Sequence, residues 1–213
     1  EMTAALDILA ATTEWPDEDT KILAHAILDV RDALLEAVHR LAAEAQGALM
    51  TRTHGDLHLG QILVSGGDVF IIDFEGEPRR SIEERRAKTS PWRDVAGLLR
   101  SIDYTTATLS SAGSVPASAS DAVSRAELLR RFKTRAERAF LSGYVEGGGP
   151  FSGIERPLLD LFLLEKAAYE IGYEVANRPA WIGLPVRGLH GLATRLAGAA
   201  ELNTEVHLEG EPA

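Results

Sequence analysis

The segment 54–78 constrains the fold most, because its apolar residues follow a strand pattern in a chain that otherwise has helical spacing. The runs 61–64 and 69–73 are apolar and partly β-branched, and a turn with two glycines separates them. Two such runs across a glycine-containing turn predict a β-hairpin. A further short strand is expected over 48–53.

Elsewhere, apolar residues recur three and four positions apart, which predicts amphipathic helices. The expected helices are 1–16, 17–46, 95–109, 122–145, 157–176 and 188–200, and helix returns from residue 81. Acidic residues at 17–19 favour the start of the second helix, because their negative charge is attracted to the positive end of the helix dipole. The predicted fold class is therefore α+β and predominantly α, with one small hairpin in a helical body.

The length predicts one domain or two small ones. We expect one lobe over residues 1–202 with a frayed tail over 203–213. A Ser/Ala/Gly/Pro-rich stretch near 110–121 predicts a mobile loop within that lobe. The first residue is Glu1 rather than methionine, so we expect a fragment of a longer protein.

The composition excludes several function classes. The formal net charge is −10, which argues against a nucleic-acid partner because phosphates require a basic surface. There is no cysteine, which excludes disulfides, thiolate zinc sites and a cysteine nucleophile. No run of about 18 apolar residues and no signal-peptide pattern is present, so we expect no membrane partner and a cytoplasmic location.

The candidate chemistry lies in the strings HGDLHLGQ at 54–61 and IIDFEGEP at 71–78. Asp56 follows one strand, Gln61 begins the next and Asp73 ends the one after, so the folded hairpin brings the three to one end. Phosphoryl transfer to a hydroxyl needs a carboxylate that accepts the proton and oxygen ligands for Mg²⁺. Two carboxylates and one amide provide that set.

These strings resemble the catalytic core of the aminoglycoside-phosphotransferase-like kinases, which share the protein-kinase fold. The glutamine and the DFEGEP string make the chain most similar to maltokinases, which make maltose 1-phosphate from maltose and ATP and are often fused to trehalose synthase. The strings at 84–104 and 165–181 resemble the same subfamily. The resemblance covers residues 50–200, most of the chain.

The resemblance implies a role for each matching residue. Asp56 would be the catalytic base, and Gln61 and Asp73 would hold Mg²⁺ for ATP. His54 would support the catalytic loop, and Asp94 would brace that loop from below. Glu75 stands where protein kinases have a glycine, and its carboxylate would bind a sugar hydroxyl or the water shell of the metal.

The expected acceptor site lies on the helix 157–176. Lys166, Tyr169, Glu170 and Tyr173 share one face of it, and such a face suits a sugar, although an ordinary amphipathic stripe has the same spacing. Lys166 would repel an ammonium group, which favours neutral maltose over glucosamine.

Two further patterns have alternative interpretations. His54 and His58 could form a metal pair, but no third ligand with zinc-type spacing follows. A basic run is interpreted mostly as solvated surface, the alternative being a loop that holds phosphate charge. Its members are Arg79, Arg80, Arg85, Arg86, Lys88 and Arg93.

A complete kinase of this fold also needs a nucleotide lobe with a phosphate-contacting lysine. Upstream of residue 54 the pattern is essentially helical, so we expect a C-terminal lobe that is inactive alone and pairs with an N-terminal lobe and a fused trehalose synthase. The leading function is phosphorylation of maltose by ATP. The alternatives are a kinase for glucosamine or another small molecule, and a non-catalytic docking module of trehalose synthase.

Overall fold

A computed structural model describes residues 1–111, 119–149 and 155–208. The chain divides into two compact units. The first, here called the helical unit, comprises Glu1–Gln46 and Leu163–Ala213, and the second, the hairpin unit, comprises Gly47–Phe162. In chain order the elements are α1 (Met2–Ala11), α2 (Glu18–Asp29), α3 (Arg31–Glu44), β1 (Ile62–Ser65), β2 (Asp68–Ile71), α4 (Ile82–Arg86), α5 (Trp92–Ser111), α6 (Ala119–Glu146), α7 (Glu155–Asn177) and α8 (Gly183–Leu208).

This element content confirms the predicted fold class, α+β and predominantly α. No helix in the described ranges is both long enough and apolar enough to cross a bilayer.

The helical unit corrects one prediction. The single helix expected over 17–46 is two helices, α2 and α3, which meet at Val30 with φ −104° and ψ 20°. Both helices pack on α8, and Ile27 and Leu34 on either side of the break are buried. No glycine or proline marks the position, so the break follows from packing against the rest of the unit rather than from a local signal.

The hairpin unit contains the predicted hairpin. β1 and β2 pair antiparallel from Ile62–Ile71 to Ser65–Asp68. Gly66 and Gly67 have φ of +61° and +88°, as a two-residue turn of the left-handed type requires, and only glycine adopts both values at little cost. The strand expected over 48–53 is reduced to an isolated bridge between Thr51 and Thr89.

The core of the hairpin unit forms around α5. Trp92 at its start is 1% exposed and meets the Tyr144 ring of α6 edge-on, with centroids 5.3 Å apart. Trp92 is therefore a core residue of this unit. α6 ends where the sequence predicts, just before the glycines at 147–149.

Two predictions concern segments of which the structure describes only a part. Of the loop expected near 110–121, residues 112–118 lie outside the described residues. α8 continues to Leu208, well past residue 200, while 209–213 also lie outside the described residues. The frayed tail over 203–213 and the single lobe over 1–202 stay predictions.

Replacing Asp17 with alanine should lower the free energy of unfolding by about 1 kcal/mol at neutral pH, because Asp17 caps α2 by accepting the Thr20 amide at 2.6 Å. That backbone hydrogen bond lowers the pKa of Asp17 below its ordinary value. The stabilisation is therefore complete above the ordinary pKa and is lost as the pH falls through the lower folded-state pKa. Urea denaturation at a series of pH values should show that the difference in the free energy of unfolding between wild type and Asp17→Ala becomes smaller in acid. Asp19→Ala, in the same turn but without a capping contact, should lower the free energy of unfolding by less than Asp17→Ala does.

Candidate active site

One carboxylate holds the backbone of the loop that contains Asp56. Asp94, in the first turn of α5, accepts the His54 amide on Oδ2 at 2.7 Å and the Gly55 amide on Oδ1 at 2.9 Å. Both oxygens of one side chain are thus committed to two consecutive amides, and ionised acceptors make strong hydrogen bonds. The residue before Asp56 is thereby fixed to α5.

His54 connects this loop to the end of the hairpin. Its ring is buried, and Nε2 lies 2.7 Å from the Ile72 carbonyl, while Nδ1 lies 3.4 Å from the Asp56 amide. These contacts assign the proton to Nε2, which donates to the carbonyl, and leave Nδ1 as acceptor. The ring also lies against Phe74, with centroids 4.8 Å apart. Both ring nitrogens therefore have backbone partners, one in the hairpin and one in the loop, which does not favour the metal-pair interpretation of His54 and His58.

Gln61 and Asp73 meet at the open end of the hairpin, as the sequence predicts. Gln61 Nε2 donates to Asp73 Oδ2 at 3.0 Å, and it lies 3.4 Å from Nε2 of His58. Asp73 and the amide of Gln61 offer hard oxygen ligands at one place. Mg²⁺ keeps several of its waters and needs only one or two such protein ligands, so the two residues fit this ion.

The backbone of Asp73 is in a rarely populated conformation. Its φ is +64°, and it is the one non-glycine residue with positive φ in the described part of the chain. The hairpin ladder ends immediately before it, where the Ile72 amide donates to the Gln61 carbonyl at 3.0 Å. An aspartate tolerates this region better than most residues, but it still costs free energy, and such strain concentrates at functional sites. The observation marks Asp73 as a functional candidate independently of its motif.

α5 supports more of the Asp56 loop than Asp94 alone, and this additional support was not predicted from the sequence. Beyond Asp94, a Cβ added at Gly97 would lie 2.7 Å from the Leu57 carbonyl oxygen, and Ser101 Oγ accepts the Leu59 amide at 3.0 Å. Positions 94, 97 and 101 lie on one helix face. The spacing of three and four residues between Asp94, Gly97 and Ser101 was the sequence signal that could have indicated this support.

The remaining predicted residues lie apart from this constellation along the chain. Glu75 is exposed and follows the hairpin, and its carbonyl accepts Nη1 of Arg85 at 3.3 Å. The four residues expected to bind the acceptor are on α7 in the helical unit. Tyr169 and Tyr173 stack with centroids 6.3 Å apart, and Nζ of Lys166 lies 5.0 Å from the Tyr169 ring centre. Their roles, like those of the loop residues, stay predictions.

Comparison with known proteins finds relatives among glucosamine kinases. No protein-family model matches the chain. A glucosamine kinase from Mycolicibacterium smegmatis is 27% identical over 169 residues, which is 78% of this chain and 40% of the relative. A glucosamine kinase from Streptacidiphilus jiangxiensis is 30% identical over 144 residues, which is 65% of this chain and 31% of the relative. The chain thus spans less than half the length of either curated relative.

Solved structures give the same result. A glucosamine kinase in complex with glucosamine, ADP and inorganic phosphate is 25% identical, with a TM-score of 0.61 over 96% of this chain and 47% of that one. A second crystal form of glucosamine kinase, 24% identical, has a TM-score of 0.60 over 91% of this chain and 45% of its own length, which shows the shared fold. These homologues have a kinase-like fold and are named for a sugar substrate. The relatives named here do not show a maltokinase or a trehalose synthase fusion.

Gly97→Ala should destabilise the protein by about 1–3 kcal/mol, because the new methyl group would overlap the Leu57 carbonyl and push the loop away from α5. Gly143→Ala is the matched control, since it is also a helical glycine but has open space around its Cβ position. It should stabilise the protein by about 0.5–1 kcal/mol through helix propensity. Urea denaturation of both variants measures the difference, and equal effects of one sign would contradict the close approach of α5 to the loop.

Proposed function

We propose that this chain is part of an ATP-dependent kinase that phosphorylates a sugar hydroxyl, with glucosamine as the leading acceptor. The observation that carries the proposal is the contact between Gln61 and Asp73 at the end of the hairpin, next to the loop in which Asp94 fixes the residue before Asp56. The glucosamine kinases related to the chain support the sugar, and the bound ADP in one of them supports ATP as donor. This replaces the leading sequence prediction of maltose with its stated alternative.

In the proposed reaction, Asp56 accepts a hydrogen bond from the sugar hydroxyl and takes its proton as the hydroxyl oxygen bonds to the γ-phosphorus. The bond from the γ-phosphorus to its bridging oxygen breaks in line, and ADP leaves. Gln61 and Asp73 would hold Mg²⁺, which when bound neutralises phosphate charge. Because phosphoryl transfer depends mainly on position, the rigid attachment of the loop to α5 is itself part of the proposed catalysis.

The stripe on α7 is compatible with an amino sugar. Lys166 was the argument against one, but its ammonium lies over the Tyr169 ring, where the π face partly satisfies its charge. On the same face, Glu170 supplies a carboxylate for a substrate ammonium and the stacked tyrosines supply ring surface for the sugar. We therefore assign Glu170 to the amine and the two tyrosines to the sugar ring.

The exposed hairpin supports a nucleotide lobe as the partner of this unit. Val64 and Val69 pair on one face of the hairpin and are 75% and 63% exposed, and Phe70 on the other face is 52% exposed, so both faces present apolar side chains. We propose that the nucleotide lobe and the nucleotide base cover the hairpin. A docking module without catalysis would need this apolar surface alone, and would have no use for Asp56, Gln61 and Asp73 together.

Asp56→Asn in the full-length protein that carries this sequence should lower kcat roughly 10²- to 10⁴-fold, because the base is lost while size and shape are kept. The unfolding midpoint should be almost unchanged. The assay is ADP release with ATP, Mg²⁺ and glucosamine. Asp68→Asn, an exposed change at the hairpin turn, is the matched control and should retain wild-type turnover. Near-normal turnover in Asp56→Asn would refute the assignment of the base.

A panel of glucosamine, glucose and maltose tests the acceptor. We expect kcat/KM to be highest for glucosamine. Glu170→Gln should lower it roughly tenfold for glucosamine, since a charge-assisted hydrogen bond to the ammonium is lost, and should leave glucose within about twofold. Highest kcat/KM for maltose would overturn the glucosamine assignment, and equal losses for both monosaccharides would overturn the assignment of Glu170 to the amine. Neither result affects the assignment of Asp56.

A further inference from the structure

The hairpin unit contains a pocket that the proposed reaction does not use. It encloses about 220 Å³ between the Asp56 loop and the segment that follows the hairpin. Its lining residues are Thr53, Gly55, Gly76, Glu77, Arg80, Glu84, Arg85, Ala87, Lys88, Thr89 and Arg93. We call it the basic pocket, because four of these residues are cationic and two are acidic.

The walls of the basic pocket are tied to each other through the backbone. Thr51 and Thr89 exchange both amide hydrogen bonds, at 2.8 and 2.9 Å, which joins the two sides at one end. Near the other end, a Cβ at Gly55 would lie 3.3 Å from the Gly76 Cα, so two glycines pack backbone to backbone. Gly76 has φ +77°, which favours glycine there. The pocket is therefore built into the fold rather than formed by mobile side chains.

The acidic residues of the lining are held by their own backbone neighbours. Glu84 accepts the Ser81 amide at 2.8 Å in the capping box of α4, and the hydrogen bonds from Ser81 lower the pKa of Glu84, which keeps it ionised and in place. Glu77 accepts the Arg79 amide at 3.4 Å. These local contacts compete with any pairing between the two carboxylates and the pocket cations.

Lys88 retains capacity for an anion, because it is exposed and makes no ion pair with any described residue. Arg85 is anchored in the wall of the same pocket, since its Nη1 donates to the Glu75 carbonyl at 3.3 Å and its side-chain carbons lie against Gly76. Its guanidinium charge therefore adds to that of Lys88 at a fixed place.

We propose that the basic pocket binds a small phosphate-type oxyanion, either free phosphate or the phosphate group of a small monoester. The volume is below the 300–1,000 Å³ typical of sites for larger ligands, which disfavours a nucleotide. Guanidinium groups match the planar oxygen pairs of phosphate, and Lys88 adds a point charge. Since Gly55 is a wall of the pocket and precedes Asp56, the bound anion holds the segment 76–89 against the Asp56 loop. The proposal does not depend on the proposed kinase activity.

Titration calorimetry on the full-length protein in EDTA, with inorganic phosphate as the probe and chloride at matched ionic strength, tests the binding. EDTA removes divalent cations and so excludes phosphate held by metal at Asp73. We expect saturable binding of phosphate that Lys88→Gln weakens roughly tenfold. Arg86→Gln is the matched control, because Arg86 is an exposed cation of the same segment that does not line the pocket, and it should stay within about twofold of wild type. Glycerol 2-phosphate, run in parallel, distinguishes a monoester from free phosphate as the tighter ligand.

Hydrogen exchange supplies a second readout. Phosphate should slow exchange at the amides of Gly55 and Gly76 in wild type, and Arg85→Met, which keeps the packing of the side-chain stem on Gly76, should abolish that protection. The proposal would be overturned if injections of phosphate gave the same heat as injections of chloride. Equal weakening by Lys88→Gln and Arg86→Gln would also overturn it, because that result indicates a general charge effect.

Discussion

The two hydrogen bonds from the His54 and Gly55 amides to the Asp94 carboxylate are the interaction on which the candidate site depends. A loop backbone without such partners would either be solvated and mobile or leave buried amides unsatisfied. Here one ionised side chain satisfies two consecutive amides and attaches them to the first turn of a long helix. Asp56 follows directly, so the position of the proposed base is set by α5.

The same helix face explains why α5 needs both a small and a polar residue further along. Gly97 allows the helix to approach the Leu57 carbonyl, and Ser101 satisfies the Leu59 amide. His54 then joins this supported loop to the strand exit at Ile72, next to the strained Asp73. The local backbone strain at Asp73 is thus held by contacts on both sides, which is the usual condition for its persistence at a functional site.

None of the residues to which we assign a catalytic role lines the basic pocket. The pocket and the Asp56 loop nevertheless share Gly55. Its cations come from the run that the sequence indicated mostly as solvated surface. Arg79 and Arg86 do not line the pocket, whereas Arg80, Arg85, Lys88 and Arg93 do. The short helix α4 separates two of them, Arg85 and Arg86, because neighbouring residues of a helix point in different directions and only Arg85 of the pair lines the pocket.

The sequence by itself determined the hairpin, most helices and the meeting of Gln61 with Asp73, because these follow from short-range periodicity and from a two-glycine turn. It did not indicate the break at Val30, since that position has no local breaker and the packing on α8 decides it. Only the tertiary structure decided which amides Asp94 satisfies, why Gly97 must be small and which cations surround one pocket. Those features depend on contacts between residues far apart in the chain, which neither propensity nor periodicity encodes.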